Sequence, residues 1–220
     1  MYLSRVSTAL TLLGAALLAG CASTAPVKYQ GLAATSAMSA NTSTDSNHVP
    51  FSYAMPGTNW ASYSGFVLER VAIYTGTDSQ FGDLSDADKH ELATYMHEQF
   101  STALSKRLTP VTASAPGVLR IRLTLTGVET SQQVISTATK LVPAGAVLNT
   151  IATVGDKQAA FSGSVTYVVE IYDASSRKLL RSFVSKQYPL AIDVLATIGP
   201  LEATRSGIRR GADALSNQLK

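Results

Sequence analysis

Between Lys89 and Leu108, apolar residues recur at Leu92, Tyr95, Met96, Phe100, Ala103, Leu104 and Leu108. Spacings of three and four put them on one stripe, which predicts an amphipathic helix. Ser85-Asp86-Ala87-Asp88 supplies a capping-box start with acids in the first turn. Lys106 and Arg107 suit the last turn, and Pro110 prevents continuation. A different period follows. Leu119, Ile121, Leu123 and Leu125 alternate with Arg120, Arg122, Thr124 and Thr126, the pattern of a half-buried strand with its polar face outward. Val165–Tyr172 is apolar on both faces, as a central strand would be. Asp173-Ala174-Ser175-Ser176-Arg177 reads as a turn, and Leu179–Tyr188 as the returning hairpin partner. Phe66–Tyr74 predicts an earlier strand. Leu201, Ile208, Ala212, Leu215 and Leu219 mark a C-terminal helix entered at Gly199-Pro200. No internal repeat is visible.

The order strand, helix, strand, strand, helix predicts an α/β (α+β) fold. Its form would be a two-layer sandwich, a mixed β-sheet with two long helices on one face. The expected organisation has three parts: a leader at 1–20, a flexible tether at 21–50 and a single domain at 51–220. Residues 22–47 are rich in Ser, Thr, Ala and Asn without a sustained period, and only Lys28 and Asp45 are charged. Such a segment buries little apolar area to offset its ordering entropy. As a flexible coil it would span roughly 25–30 Å. Val49–Gly65 differs, because Phe51, Tyr53, Trp60 and Tyr63 are too aromatic for a solvated tether. It predicts irregular chain pinned to the domain by those rings.

The leader carries its own pattern. Arg5 precedes an uncharged apolar run, Val6–Leu18, whose thirteen residues reach only about 20 Å as a helix. That is short of a hydrocarbon core of about 30 Å, so a secretory signal fits better than a membrane span. Leu18-Ala19-Gly20-Cys21 resembles the lipobox of bacterial lipoproteins. The resemblance implies cleavage between Gly20 and Cys21, diacylglycerol on the Cys21 thiol and an acyl chain such as palmitate on its amine. At about 0.8 kcal/mol per buried CH₂, several chains hold far better than one. Ala22 stands where an Asp often signals inner-membrane retention. An outer-membrane anchor facing the periplasm is therefore the expectation in a two-membrane host.

Composition narrows the chemistry. Of 220 residues, 45% are hydrophobic and 15% charged, which suits a packed domain. The net charge of +3 falls to about +2 once Arg5 leaves with the leader, too little to indicate nucleic acid. Cys21 is the only cysteine, so the domain has no internal disulfide and no cysteine-based metal site. His90-Glu91 and His97-Glu98 invite a zinc-protease reading, but HELAT has Thr94 where the second ligand belongs. His90 and His97 are separated by about 10 Å along a helix, too far to share a metal. They read as solvated helix positions. No nucleophile elbow, phosphate loop or dinucleotide fingerprint is present. No catalytic residue, metal or cofactor is therefore assigned.

Two regions are candidate contact surfaces. The uncharged stretch Leu141–Gly155, with Val142, Val147, Leu148, Ile151 and Val154, would cover a sheet edge or dock a protein or membrane. Arg205, Arg209 and Arg210 would form either a solvated helix face or a contact for an anionic cell-wall or lipid group.

Several short motifs carry a wider resemblance: Tyr63-Ser64-Gly65-Phe66, the helix from Ser85, Leu119-Arg120-Ile121-Arg122, and Val169-Glu170-Ile171-Tyr172-Asp173 with Leu179-Leu180. From Tyr63 to Lys220 the layout resembles bacterial lipoproteins of the domain-of-unknown-function family 3313. Ser176-Arg177-Lys178 departs from the Gly such proteins often have after the Asp turn. The resemblance implies a periplasm-facing lipoprotein with a small α/β domain, and it carries over no catalytic residue. The expected function is that of a non-enzymatic, membrane-anchored envelope lipoprotein whose domain binds a protein or peptidoglycan partner. An envelope hydrolase, or a lipid or small-ligand carrier, stays open as an alternative.

Overall fold

A computed structural model of the chain describes residues 24–42, 48–130, 163–189 and 201–219. Its strands are β1 (Ser39–Ala40), β2 (Phe51–Ala54), β3 (Gly65–Leu68), β4 (Ala72–Ile73), β5 (Thr109–Pro110), β6 (Val118–Glu129), β7 (Ser164–Asp173) and β8 (Leu179–Gln187). Helix α1 spans Asp86–Ser105 and α2 spans Glu202–Gln218. Among the described residues the strands form one mixed sheet in the order β1-β2-β8-β7-β6-β3-β5, with β4 also paired to β6. The expected mixed sheet with two helices on one face is therefore observed.

The long elements form where their periods predict. Ser85 caps α1 by accepting from the Asp88 amide at 3.1 Å. The stripe Leu92, Met96, Phe100, Ala103 and Leu104 is buried. It meets Leu119, Ile121, Leu123 and Leu125 of β6 and Val165, Tyr167, Val169 and Ile171 of β7. Phe100 and Tyr167 pack edge to face, with ring centroids 5.6 Å apart. Helix α2 completes this layer through Ile208, Ala212, Leu215 and Leu219. It lies so close to the sheet that a Cβ at Gly211 would overlap the Tyr167 hydroxyl. Ser216 ties α2 to α1 by donating to the Ala103 carbonyl at 2.8 Å.

At β3 and β4 the single strand expected over Phe66–Tyr74 is broken by one extra residue. Leu68 pairs with Ile121, but Ala72 pairs with Thr124, so Glu69–Val71 holds one residue more than the facing segment of β6. This bulge reverses the side-chain parity. Phe66 and Leu68 face the helices before it, and Val71 and Ile73 face them after it. Tyr74 is thereby turned to the opposite face, which Glu69 already occupies by alternation, and both find partners there.

Two further expectations are corrected. Residues 24–42 are not a free tether. They lie across the sheet face opposite the helices and bury Tyr29, Ala34, Thr35 and Met38 there. Val49–Gly65 is not wholly irregular, because Phe51–Ala54 forms β2 on β8. Its rings do serve as anchors: Phe51 and Tyr53 join the outer cluster, and Trp60 and Tyr63 pack on the main core.

Candidate functional site

The outer face of the sheet has two halves. At the turn end, Arg120 and Arg122 are held by Glu69 at 2.6 and 3.0 Å. Arg122 also lies 3.8 Å from the buried Glu170, which accepts from the Tyr172 hydroxyl at 2.8 Å. Partial burial alone would raise the Glu69 pKa, but the two guanidiniums outweigh it and hold the carboxyl below its ordinary value. Burial and the Glu170 carboxylate push the Tyr172 phenol up to about 12. These arginines belong to an internal network.

At the other end the polar face of β6 is covered. Thr124 and Thr126, expected on a solvated face, are buried beneath the N-terminal segment. Tyr29, packed edge to face on Tyr74, donates to Gln80 Oε1 at 2.7 Å. Burial pushes its phenol up to about 12. Gln80 is itself bridged to β6 at Gly127, where the approach is so tight that a Cβ would lie 2.8 Å from the Gln80 Cβ. Its amide donates to the Ala25 carbonyl at 2.8 Å. Tyr74 donates to the Gln30 carbonyl at 2.7 Å and to Asp78, and Asp78 accepts from the Gln30 amide at 3.2 Å.

At the start of this segment sits an ionic clamp. The Lys186 side chain is 2% exposed on β8, with Nζ 3.0 Å from Glu129 Oε1 at the end of β6. It also donates to the Thr24 carbonyl at 2.7 Å. The Thr24 amide donates to the same Glu129 oxygen at 2.7 Å, and Ser164 donates to Oε2 at 2.7 Å. Both backbone polar groups of Thr24 are thus bound by one ion pair, buried at Lys186 and partly exposed at Glu129. Burial would raise the Glu129 pKa, but Ser164, Lys186 and the Thr24 amide outweigh it and lower it. Sequence reasoning missed this clamp. The available signal was Lys186 itself: a lysine two residues from Val184, on a face that the hairpin would bury, needs a counter-charge.

On the helix side an open groove of about 910 Å³ runs between α1 and the β3–β4 connection, lined by Arg70, Lys89, His90, Thr94, His97 and Glu98 among others. A smaller depression continues past Tyr95 to Arg205. His90 is exposed and its Nδ1 lies 2.7 Å from the Asp86 carbonyl, whereas His97 is half-buried. Among the described residues, no group of three or more His, Cys, Asp or Glu is placed to hold a metal.

Of the residues singled out in the sequence, Arg205 pairs with Glu91 and with Glu202 and lies over the Tyr95 ring. Arg209 donates to the Tyr95 hydroxyl at 2.9 Å, and both it and Arg210 are exposed. Gly20 and Cys21 lie outside the described residues, as do Val142, Val147, Leu148, Ile151 and Val154. Among the described residues, no helix is long and apolar enough to cross a membrane.

The family described as Protein of unknown function (DUF3313) matches residues 28–215, and the chain belongs to it. The match begins 35 residues before Tyr63, so it takes in most of the segment laid across the outer face. None of the curated proteins matches the chain in sequence. Among solved structures, it is similar to a PelC dodecamer from Paraburkholderia phytofirmans at 10% identity and TM-score 0.39, covering 75% of this chain and 94% of that one. It is also similar to a PDZ domain protein from Parabacteroides distasonis at 12% identity and TM-score 0.37, over 76% and 34% of the two chains. A DUF4136 family protein from Bacteroides thetaiotaomicron shows 10% identity and TM-score 0.33, over 76% and 92%. Similarities this distant carry no functional argument.

Proposed function

We propose that this protein is a membrane-anchored envelope lipoprotein, held by lipid on Cys21, whose domain is a non-enzymatic binding module for an envelope protein or cell-wall partner. The observation that carries the reading is Leu18-Ala19-Gly20-Cys21 at the end of an apolar run too short to span a bilayer. The reading is supported by the docking of Thr24, three residues after Cys21, on Glu129 and Lys186. An outer-membrane, periplasm-facing placement follows from Ala22 in a two-membrane host. The groove beside α1 is the concavity such a module offers to a partner.

Mass spectrometry of the mature N-terminal peptide tests the anchor. Diacylglycerol on Cys21 is expected, and Cys21→Ser should move the protein to the aqueous fraction. An unmodified thiol in a soluble native protein would sink the reading. Crosslinked recovery compared between the wild type and Thr94→Arg, an exposed groove position, tests the binding module. A partner lost in the variant supports it; no reproducible partner in either counts against it.

A further inference from the structure

We infer that the clamp makes the anchor a short leash, so that the domain rests directly on the headgroup region of the bilayer with the Glu129–Ser164–Lys186 end of its sheet facing the lipid. The inference rests on lipidation of Cys21 and adds the membrane-facing surface to that reading. Its basis is chain length. From Cys21 to Thr24 there are three residue steps, at most about 10 Å of extended chain. A free segment running to residue 50 would instead allow roughly 25–30 Å as a coil.

Thr24 is fixed by more than a surface contact. Its amide and carbonyl are both bound by the Glu129–Lys186 pair, and Lys186 is 2% exposed. Gln80 holds Ala25, Asp78 and Tyr74 hold Gln30, and Tyr29 is fully buried between them. Peeling this segment away would leave the Lys186 ammonium without its Thr24 partner and expose the Tyr29 ring, both unfavourable. The chain therefore leaves the domain at one defined place. That place is the end of the sheet where β6 finishes and β7 begins. The Asp173–Lys178 turn lies at the opposite end of β7, about 30 Å away along ten residues.

The test uses the full mature lipidated chain in vesicles of phosphatidylethanolamine and phosphatidylglycerol with a headgroup-linked energy acceptor. A donor dye is placed at Ser79→Cys, beside the Gln80–Gly127 bridge, or at Lys178→Cys, beside the turn; both sites are exposed. Transfer several-fold stronger from position 79 than from position 178 is expected. A Gly/Ser insert of about twelve residues between Ala22 and Ser23, about 20 Å of coil, should sharply reduce transfer from position 79. The insert touches no docked residue, so the fold is undisturbed. Lys186→Met, which frees Thr24 while Tyr29 stays docked, should reduce transfer to a smaller extent without any insert. Equal transfer from the two positions, unchanged by the insert, would overturn the inference while leaving the anchor intact. Protein that neither floats with vesicles nor carries acyl mass would remove the anchor and the inference together.

Discussion

The two faces of the central sheet are buried by different means. The inner face is covered by α1 and α2 through an apolar layer of Leu, Ile, Val and aromatic side chains. The outer face is covered at one end by a thin segment, residues 24–42, with a small apolar cluster around Tyr29, Tyr74, Val168 and Val184. The rest of its attachment includes hydrogen bonds with Glu129, Lys186, Gln80, Tyr74 and Asp78 and the pairing of β1 with β2. The helices add non-directional burial that scales with area, whereas the segment depends on a few matched polar groups. The inner layer should therefore unfold only globally and the outer segment locally.

That contrast can be broken most severely from the inside. Phe100→Ala removes a fully buried ring packed on Tyr167 and should cost about 3–5 kcal/mol, read as a lower urea midpoint. Protection of amides in β7 should fall together with that of α1. A variant that lost only local protection would show that the two helices are not one cooperative layer with the sheet.

Tyr29→Ala acts on the other face. Its cost should be about 2 kcal/mol, smaller because the segment can open without the sheet. Hydrogen exchange should rise across residues 24–42 while β7 keeps its protection. Equal loss in both regions would erase the distinction between the faces.

Lys186→Met tests the polar part of the attachment. Glu129 is 30% exposed at its side chain and can rehydrate, so the expected loss is about 1–2 kcal/mol. Release should begin at Thr24 and Ala25. Acid tests the same clamp. Glu129 has a folded pKa below its unfolded value, so its contribution is fully present above about pH 4.3 and fades as the pH falls through the folded value. Exchange at residues 24–30 should accelerate on acidification, and Glu129→Gln should flatten that dependence. An unchanged profile in the variant would mean that Glu129 does not titrate against the clamp.

The smallest effect is expected at Arg210, exposed on α2. Arg210→Ala should change stability by no more than about 0.5 kcal/mol. A larger loss would reveal a structural contact and weaken any assignment of that face to a partner.

Much of this architecture was legible in the sequence. The stripe from Leu92 to Leu108, the alternation from Leu119 to Leu125, the doubly apolar Val165–Tyr172 and the Asp173 turn each became the predicted element. Their signal is local, since a residue and its neighbours two, three or four positions away report on the same face. The tether expectation failed because composition measures what a segment can bury by itself, whereas residues 24–42 use polar partners supplied elsewhere. Thr24 and Lys186 are 162 residues apart, and Thr24 and Glu129 are 105 apart. No window along the chain contains both halves of such a contact.

The sequence by itself determined the helices, the long strands and the turn that joins β7 to β8, because periodicity and capping act over a few residues. Tertiary structure alone decided which polar positions are wet. It turned Tyr74 outward through a one-residue bulge, and it covered Thr124 and Thr126 with a distant segment. The physical reason is that burial of a polar group depends on a partner's position in space, and only the assembled sheet brings Glu129 and Lys186 close enough to hold Thr24.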